Sequence, residues 1–407
     1  MKQEWFALLE QIKGGSMMNT TVAKRFAIVA LACTVAAPTA ALAADPYVIG
    51  LTGDMTGPDA GNSGAVADTV RIYFEKINER GGINGHPVQV IIRDNQSQPS
   101  RAASDAQEFV NDPNLLIIVT ASLSSTYVPT ISESKQHGVP VLFAGGVCPT
   151  EVFPPANPLL FCTSGYAADK DAEYAVDYVR SVSPGNVTVG FVSMAIPISR
   201  GGMEHGAEVA ASKGMKVGDH EIIPPTTVSF TPYATKLKAA GVDWVISWAP
   251  WITQVKTFEA LREVGWQGKF ITYAHNVAEE ELKRIKDPGF LVFGTNAMFI
   301  DNQPIHQDII AAAQGKTKFP YTYLNEGWIA SITLEAALEK VPWPPTRAKL
   351  VEVMNDLTID MRGMRGGPIV WTKDNHFRRE LFYRVYGWDS TQNSIKVVKD
   401  WVRMDVK

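Results

Sequence analysis

The stretch Leu115-Leu-Ile-Ile-Val119, followed directly by Thr120-Ala-Ser-Leu-Ser-Ser-Thr126, decides which fold class this sequence favours. Five consecutive apolar residues, three of them β-branched, predict a strand that is buried on both faces, as in a parallel sheet. The hydroxyl residues that end the stretch can each cap a helix, which we predict over 127–136. Free backbone N–H groups and hydroxyls then lie at the carboxyl edge of a sheet, a place that suits a carboxylate or another anion. The alternative is that these residues form an ordinary β–α connection with no role in binding.

Strand and helix patterns alternate along the whole chain after residue 46. This alternation indicates an α/β fold, and because the wound pattern occurs twice, it predicts two similar lobes. The tail adds a long helix over 323–340 and a shorter one over 347–356. The predicted strands cover 47–51, 88–92, 115–119, 139–143, 159–162, 187–192, 215–222, 244–248, 270–273, 290–293, 368–371, 378–386 and 395–400.

The composition is that of a soluble globular protein large enough for two domains. The chain has 407 residues, of which 45% are hydrophobic and 20% are charged, and its formal net charge is -4. Neither the balance of charge nor any cluster of basic residues suggests a nucleic acid or an anionic membrane as a partner.

The amino-terminal segment has the pattern of an export signal. Lys24 and Arg25 precede an apolar run over 26–37, and Ala41-Leu-Ala43 offers a small-x-small cleavage site. We expect cleavage after Ala43 and a periplasmic protein, since the run is too short to remain as a membrane-spanning helix. A lipoprotein signal at Cys33 is an alternative that fits the surrounding residues poorly.

The first residues suggest a different start of translation. Lys13-Gly-Gly15 corresponds to purine-rich codons just before Met17 and Met18, which is the pattern of a ribosome-binding site. We therefore hypothesise that Met17 or Met18, rather than Met1, is the first residue. Removal of 1–43 takes away four basic and two acidic residues and changes the formal net charge to -6.

Two cysteines, Cys148 and Cys162, remain after export. Because they lie a short loop apart in an oxidising compartment, we expect them to form a disulfide. A metal site is the lesser interpretation, since two thiols without nearby histidines make a poor zinc site. We expect no metal and no cofactor.

Three stretches, together with the serine-rich loop, resemble a known family. In this order and behind an export signal, they are similar to the periplasmic solute-binding proteins of the leucine/isoleucine/valine-binding type, over essentially all of 45–407. Gly366-Gly-Pro-Ile-Val-Trp371 matches the last lobe crossing of that family. The three stretches are Gly53-Asp-Met-Thr-Gly-Pro58, Ile77-Asn-Glu-Arg-Gly-Gly-Ile-Asn-Gly85 and Arg93-Asp-Asn-Gln-Ser-Gln-Pro-Ser-Arg-Ala102.

The resemblance implies a type I periplasmic binding fold, in which three crossover strands join two Rossmann-like lobes with parallel-rich sheets. It also implies a monomer that clamps a small solute between its lobes and delivers it to the permease subunits of an ABC importer, with no enzymatic activity. The crossings then fall near 163–166, 297–300 and 363–368, with lobe one at 45–164 plus 300–366 and lobe two at 165–299 plus 367–407.

The carboxylate end of the family's site has counterparts here. In the family, the serine loop and a Gly-Ala-Thr-like turn hold the ligand's α-carboxylate. The turn is Gly145-Gly-Val-Cys148 here, so Val147 replaces the usual threonine while two backbone N–H groups remain.

The other end of the family's site does not carry over. Amino-acid binders of the family place a glutamate after the strand that matches 270–273, whereas this chain has Tyr273-Ala-His-Asn276. The family's lobe-two tyrosine falls near Ser199, and its aromatic loop becomes Trp248-Ala-Pro-Trp251. The ligand-binding residues predicted from all these positions are Asn62, Ser122, Ser124, Ser125, Gly145, Gly146, Val147, Ser199, Trp248, Trp251, Tyr273, His275 and Phe299.

The missing glutamate argues against an α-amino acid as the ligand, because an ammonium buried without a partner is unfavourable by several kcal/mol. Aromatic residues and a histidine favour a carboxylic acid with a flat, partly apolar body. A branched-chain amino acid, an amide or urea is the alternative within the family. A secreted α/β hydrolase and a cytoplasmic amide sensor are alternatives of other classes; the first lacks a Gly-x-Ser-x-Gly motif and the second conflicts with the export signal.

Overall fold

The computed structural model describes residues 44–406, and the predicted α/β fold with two lobes is confirmed there. None of the helices between those residues has the length and apolar character needed to cross a membrane. The predicted signal, the alternative starts and Cys33 lie outside the described residues.

The first lobe is built on a parallel sheet with the strand order β2-β1-β3-β4-β5. Its third strand contains the stretch that opened the sequence analysis, and every residue of that strand is buried, as predicted. The elements are β1 (Tyr47–Gly53), α1 (Ala60–Glu79), β2 (Val88–Asp94), α2 (Pro99–Asn111), β3 (Leu115–Ala121), α3 (Tyr127–His137), β4 (Val141–Phe143) and β5 (Leu160–Cys162).

The second lobe repeats the winding on a larger sheet. Its five parallel strands alternate with helices that cover both faces. The elements are α4 (Ala168–Val182), β6 (Thr188–Met194), α5 (Pro197–Ser212), β7 (Lys216–Ile223), α6 (Thr231–Ala239), β8 (Trp244–Trp248), α7 (Trp251–Glu263), β9 (Lys269–Tyr273), α8 (Ala278–Ile285) and β10 (Phe290–Gly294).

The tail returns to lobe one before it ends in lobe two. Its helices and a short antiparallel pair of strands pack on the lobe-one core, and the last two strands extend the lobe-two sheet, β13 antiparallel to β10 and β14 antiparallel to β13. The elements are α9 (Pro304–Ala313), α10 (Asn325–Lys340), α11 (Arg347–Met354), β11 (Asp356–Ile359), β12 (Ile369–Thr372), β13 (Glu380–Asp389) and β14 (Ser394–Asp405).

Two of these elements, α9 and β11, were not predicted. Helix α9 begins with a capping box between Gln303 and His306, and neither residue is among the common capping types. Strand β11 has four residues and follows α11 almost directly, and its first residue, Asp356, falls at the end of the helix predicted over 347–356.

The third crossing was predicted at 363–368. Ile369 and Trp371 on β12 are fully buried in the lobe-one cluster, and β12 pairs with β11 along its length. We therefore propose that the chain crosses for the third time at 373–379, between β12 and β13. The other two connections run over 163–167 and 295–303.

One buried arginine ties these connections together. Arg365 donates to the carbonyl of Thr163 at 2.7 Å and to Asn296 Oδ1 at 2.8 Å, and it pairs with Glu326 at 3.2 Å. Thr163 and Asn296 lie on the first and second connections, so a single guanidinium fixes both against α10. A buried ion pair with this many hydrogen bonds holds the hinge side of the cleft in one arrangement.

The predicted disulfide is confirmed. Cys148 and Cys162 are bonded, with their Cα atoms 5.8 Å apart. The bond joins the loop after β4 to the end of β5, next to the first connection. The glycine turn at 145–147 is therefore anchored covalently to the sheet.

Candidate ligand-binding site

A cavity lies between the two lobes, where the carboxyl ends of both parallel sheets face each other. It has a volume of about 470 Å³. In α/β sheets, ligands bind at this edge. The lining residues are Asp59, Asn62, Ser122, Leu123, Ser124, Gly145, Gly146, Val147, Tyr166, Ile196, Ile198, Trp248, Pro250 and His275.

The serine-rich loop forms part of the lobe-one wall. Ser122 is buried, and its hydroxyl donates to Asn95 Oδ1 at 2.9 Å. This hydrogen bond fixes the serine-rich loop to the loop that follows β2. Ser124 also lines the cavity and is half-buried, and we find no partner for its hydroxyl among residues 44–406. Ser125 is exposed and outside the cavity, because successive side chains of a 3-10 turn point in different directions. Ser124 is therefore the hydroxyl of this loop that is free for a ligand.

The glycine turn lies beside the serine loop. Gly145 has a φ of +79°, a conformation that favours glycine. A Cβ at Gly146 would meet the Tyr127 hydroxyl and lie 2.7 Å from the carbonyl oxygen of Ser122. The same tyrosine hydroxyl donates to the carbonyl of Val147 at 2.8 Å. The turn and the serine loop thus fit together only when residue 146 has no side chain.

Asp59, at the start of α1, places an acid in the cavity that the sequence analysis did not predict. Its Oδ2 accepts hydrogen bonds from Ser63 and, at 3.4 Å, from Asn62, whereas Oδ1 accepts none from residues 44–406. Burial, partly offset by these hydrogen bonds, raises the pKa of Asp59 to about 6. Aspartate is common before a helix, so its residue type gave no sign of another role.

Asn62 joins the two walls. Its Nδ2 donates to the carbonyl of Gly145 at 2.8 Å, and its Oδ1 accepts from Asn276 Nδ2 of lobe two at 2.9 Å. Both asparagines are buried. This hydrogen bond crosses the cleft and can form only when the lobes are close together.

Trp248 is the largest side chain on the lobe-two wall. Its indole Nε1 donates to Asp171 Oδ2 at 2.8 Å, and the other oxygen of Asp171 accepts from Tyr383 at 2.7 Å. Asp171 is fully buried, and this burial raises its pKa to about 7 although the hydrogen bonds lower it. Ser199 accepts from the backbone N–H of Met194 at 2.9 Å and donates to the carbonyl of Trp248 at 2.6 Å. The tryptophan is therefore held at both its ring and its backbone.

His275 lies on the same wall as a neutral imidazole. Its Nε2 is 3.1 Å from the carbonyl of Ala249, so Nε2 carries the proton and Nδ1 is an acceptor. Burial lowers the pKa of His275 to about 4. At neutral pH this residue therefore brings no positive charge to the cavity.

Eight of the thirteen predicted site residues line the cavity, and the structure does not bring the other five to it. Trp251 packs edge-on against His275 at 5.9 Å and lies behind it. Tyr273 is buried and packs against Tyr166 at 4.8 Å, while Phe299 stacks on His306 at 4.4 Å, away from the cleft. The other two are Ser125, which is exposed, and Ser199, which supports Trp248.

The cavity also contains residues that the sequence analysis did not predict. Tyr166, on the first connection, is buried and its hydroxyl has no partner among residues 44–406. Ile196, Ile198 and Pro250 lie where the lobe-two strands end, so the topology of the sheet could have indicated them. Leu123 and Asp59 complete this set.

Within residues 44–406, the charge of the cavity wall comes from one acidic residue. Among its lining residues, Asp59 is the one carboxylate, and the described residues contribute neither lysine nor arginine to the wall. Glu279 is the lobe-two acid that follows β9, but it lies outside the cavity. It accepts from the backbone N–H of Phe299 at 2.6 Å and pairs with Lys283 at 3.0 Å.

Comparisons with known proteins find relatives over most of the chain. Residues 46–393 match the model of the periplasmic binding protein family. The Leu/Ile/Val-binding protein of Escherichia coli strain K12 is 25% identical over 377 residues, which cover 86% of this chain and 94% of that protein.

Two solved structures share the fold. A branched chain amino acid ABC transporter protein from Thermus thermophilus with bound valine aligns with a TM-score of 0.75 at 15% identity, covering 89% of this chain and 97% of that one. A solute binding protein from Rhodopseudomonas palustris BisB5, in complex with 3,4-dihydroxy benzoic acid, aligns with a TM-score of 0.75 at 16% identity, covering 89% and 98%.

Proposed function

The chain belongs to the periplasmic binding protein family, and we propose that it captures a small carboxylate-bearing solute, an aromatic or other organic acid in preference to a branched-chain amino acid. Proteins of this family are substrate-binding components of ABC importers, so the captured solute passes to permease subunits in the inner membrane. We propose that the export signal at 1–43 brings the chain to the periplasm and that it acts there as a monomer.

The observation that carries this proposal is the contrast in chemistry across the cavity. The lobe-one wall offers the Ser124 hydroxyl and the backbone N–H groups of the glycine turn, which suit a carboxylate. The lobe-two wall offers Trp248, two isoleucines and a neutral histidine, which suit a flat apolar body. No acid of lobe two lines the cavity among the described residues, so that wall has no partner for an ammonium.

Closure of the two lobes around the ligand fits the contacts across the cleft. Asn62 and Asn276 form one hydrogen bond between the lobes beside the cavity. Binding energy from both walls is available only when the lobes meet, so a ligand that contacts both favours the closed state. The ion pair of Arg365 and Glu326 lies on the hinge side and stays inside one lobe during this movement.

A branched-chain amino acid is the second candidate, and two observations favour it. The relative from Escherichia coli is named for leucine, isoleucine and valine. Asp59 supplies a carboxylate from lobe one that can accept from an ammonium, although the family places its acid in lobe two.

A thermal-shift screen of the chain without residues 1–43 separates the candidates. The panel contains aromatic acids, other organic acids, branched-chain amino acids, dicarboxylates and amides at equal concentration. Because a ligand that binds the native state raises its stability, we expect the largest shift with an aromatic or related organic acid. A shift with amino acids alone would support the second candidate, and turnover of a bound compound would indicate an enzyme.

A further inference from the structure

We propose that Asp59 selects ligands that carry a hydrogen-bond donor next to their carboxylate, that is, 2-hydroxy or 2-amino acids. This inference rests on the proposed function and names the class of ligand more closely. It assigns Asp59 a direct contact with that donor through its free oxygen.

The position of Asp59 sets where the donor must lie. Asn62 Nδ2 is 3.4 Å from Asp59 Oδ2 and 2.8 Å from the carbonyl oxygen of Gly145. The carboxylate of Asp59 is therefore within about 6 Å of the glycine turn, where we place the ligand's carboxylate. A donor that reaches Asp59 therefore lies close to the ligand's carboxylate and not at the far end of the ligand, and we assign it to the carbon next to that carboxylate.

The hydrogen bonds of Asp59 leave one oxygen for the ligand. Ser63 and Asn62 both donate to Oδ2, and the backbone N–H of Asp59 donates to Asp54 Oδ2 at 2.8 Å. Oδ1 has no partner among residues 44–406, although Asp59 lines the cavity. The Tyr166 hydroxyl, which is buried on the cavity wall without a partner, is a second polar atom that the protein itself does not satisfy.

Electrostatics favour a ligand with a hydrogen-bond donor between the two carboxylates. A ligand carboxylate and Asp59 would repel each other in an enclosed site, and the described part of the wall has no lysine or arginine to compensate. A hydroxyl between the two accepts from the wall and donates to Asp59, while an ammonium also supplies a positive charge. An acid with no such group leaves Asp59 facing the second anion directly.

Calorimetry with two matched sets of probes tests this inference. The aromatic set is phenylacetate, mandelate and phenylglycine, and the aliphatic set is 4-methylpentanoate, 2-hydroxy-4-methylpentanoate and leucine. In each set the members differ by hydrogen, hydroxyl or amine at the same carbon. We expect the substituted acids to bind about tenfold or more tightly than the unsubstituted one, as for a hydrogen bond to a charged group.

The variant Asp59→Asn keeps the shape of the side chain and removes its charge. We expect it to lose the preference for substituted acids, with a larger loss for the amine than for the hydroxyl, since only the amine is charged. Binding of the unsubstituted acid should be retained, which also shows that the variant is folded. Glu75→Gln is the matched control, because it removes one charge from the same helix far from the cavity and should change nothing.

The outcomes for the two proposals are distinct. Equal affinity within each set for the wild type, or the same preference in Asp59→Asn, overturns the role of Asp59. A preference that is present in the aliphatic set while the aromatic set does not bind supports Asp59 and contradicts the aromatic ligand. Absence of binding by all six probes overturns both.

Discussion

The two sides of the cavity differ in how many of their polar groups already have hydrogen-bond partners within the protein. Behind the lobe-two wall, Asp171 is fully buried and accepts from Trp248, Tyr383 and the backbone N–H of Ala167, so its carboxylate is engaged within the protein. On the lobe-one wall, Asp59 Oδ1 and the Ser124 hydroxyl have no partner among residues 44–406. Two acids with raised pKa values therefore have different roles, one structural and one open to a ligand.

This difference indicates that lobe one recognises the polar groups of the ligand and lobe two its apolar body. Lobe one offers donors and one acceptor, and lobe two offers a rigid apolar surface around Trp248. Closure brings them together through the hydrogen bond between Asn62 and Asn276. Changes in lobe one should therefore act on the ligand's polar groups, and changes in lobe two on its body.

The largest effect is expected from Gly146→Ala. The new methyl group would displace the Tyr127 hydroxyl or the Ser122 carbonyl, and such overpacking is unfavourable by about 1–3 kcal/mol. Because it moves the serine loop, we expect a loss of affinity of up to about a hundredfold in calorimetry. Gly61→Ala is the control, since a Cβ there meets no atom within 4 Å. Unchanged affinity in Gly146→Ala would show that the lobe-one wall tolerates a shift of this loop.

Ser124→Ala should have the next largest effect and should be selective. Loss of a hydrogen bond to a charged group weakens binding of a carboxylate by about tenfold, whereas the matching amide should lose less. Ser125→Ala is the control, because Ser125 is exposed and outside the cavity. Equal losses for the acid and the amide would mean that Ser124 does not contact the carboxylate.

Trp248→Phe tests the lobe-two wall. The change keeps an aromatic ring but removes the donor to Asp171, which leaves a buried acceptor less satisfied and lowers the free energy of unfolding by about 1–3 kcal/mol. We expect about a threefold loss of affinity for an aromatic acid, because part of the ring contact remains. Urea unfolding and calorimetry measure the two quantities. Trp251 lies behind the wall, so Trp251→Ala should leave the affinity for the aromatic acid unchanged. A larger loss of affinity in Trp251→Ala than in Trp248→Phe would contradict the assignment of Trp248 to the cavity wall.

The smallest effect is expected from pH. Burial raises the pKa of Asp59 to about 6, so protonation as the pH falls from 7.5 to 5 removes a negative charge from the cavity. Asp54 also faces Asp59 and raises its pKa, while Asn62 and Ser63 lower it. Burial keeps the pKa values of Tyr127 and Tyr166 above this range and that of His275, about 4, below it. Asp171, whose pKa is about 7, also titrates in this range, but it lies behind Trp248 and is not part of the cavity lining.

An unsubstituted acid should therefore bind about threefold more tightly at pH 5 than at pH 7.5, because the repulsion between two carboxylates is removed. An amino acid should bind more weakly at pH 5, since its ammonium loses a charged partner. Asp59→Asn should abolish both trends. Calorimetry at the two pH values measures them, and a trend that survives in the variant would assign the titration to another group.

The sheets and the lobe-one wall were largely predictable from the sequence, because they depend on local patterns. Strand β3 is a continuous apolar run, and the serine loop and glycine turn follow their strands directly. The register within the loops was not predictable. Helix α5 begins at Pro197, so Ser199 lies in its first turn and contacts the backbone of Trp248.

The lobe-two wall and Asp59 were harder to predict for a physical reason. Aromatic residues at strand ends can face either the core or the cleft, and composition does not distinguish the two: Tyr273 packs inward on Tyr166, whereas Trp248 lines the cavity. Asp59 looks like an ordinary helix-capping residue, and that Oδ2 alone takes its hydrogen bonds is a property of the folded structure which the residue type does not reveal. The sequence predicts the third crossing at 363–368 and we propose it at 373–379, because β12 reads from its sequence as a strand of either lobe but pairs with β11.

The most direct test of the central claim is calorimetry of the chain without residues 1–43 against an aromatic acid and against leucine, isoleucine and valine. The division between a polar lobe-one wall and an apolar lobe-two wall predicts tighter binding of the aromatic acid, with lobe-one variants acting on its carboxylate. Micromolar affinity for a branched-chain amino acid, with none for aromatic or keto acids, would contradict that claim.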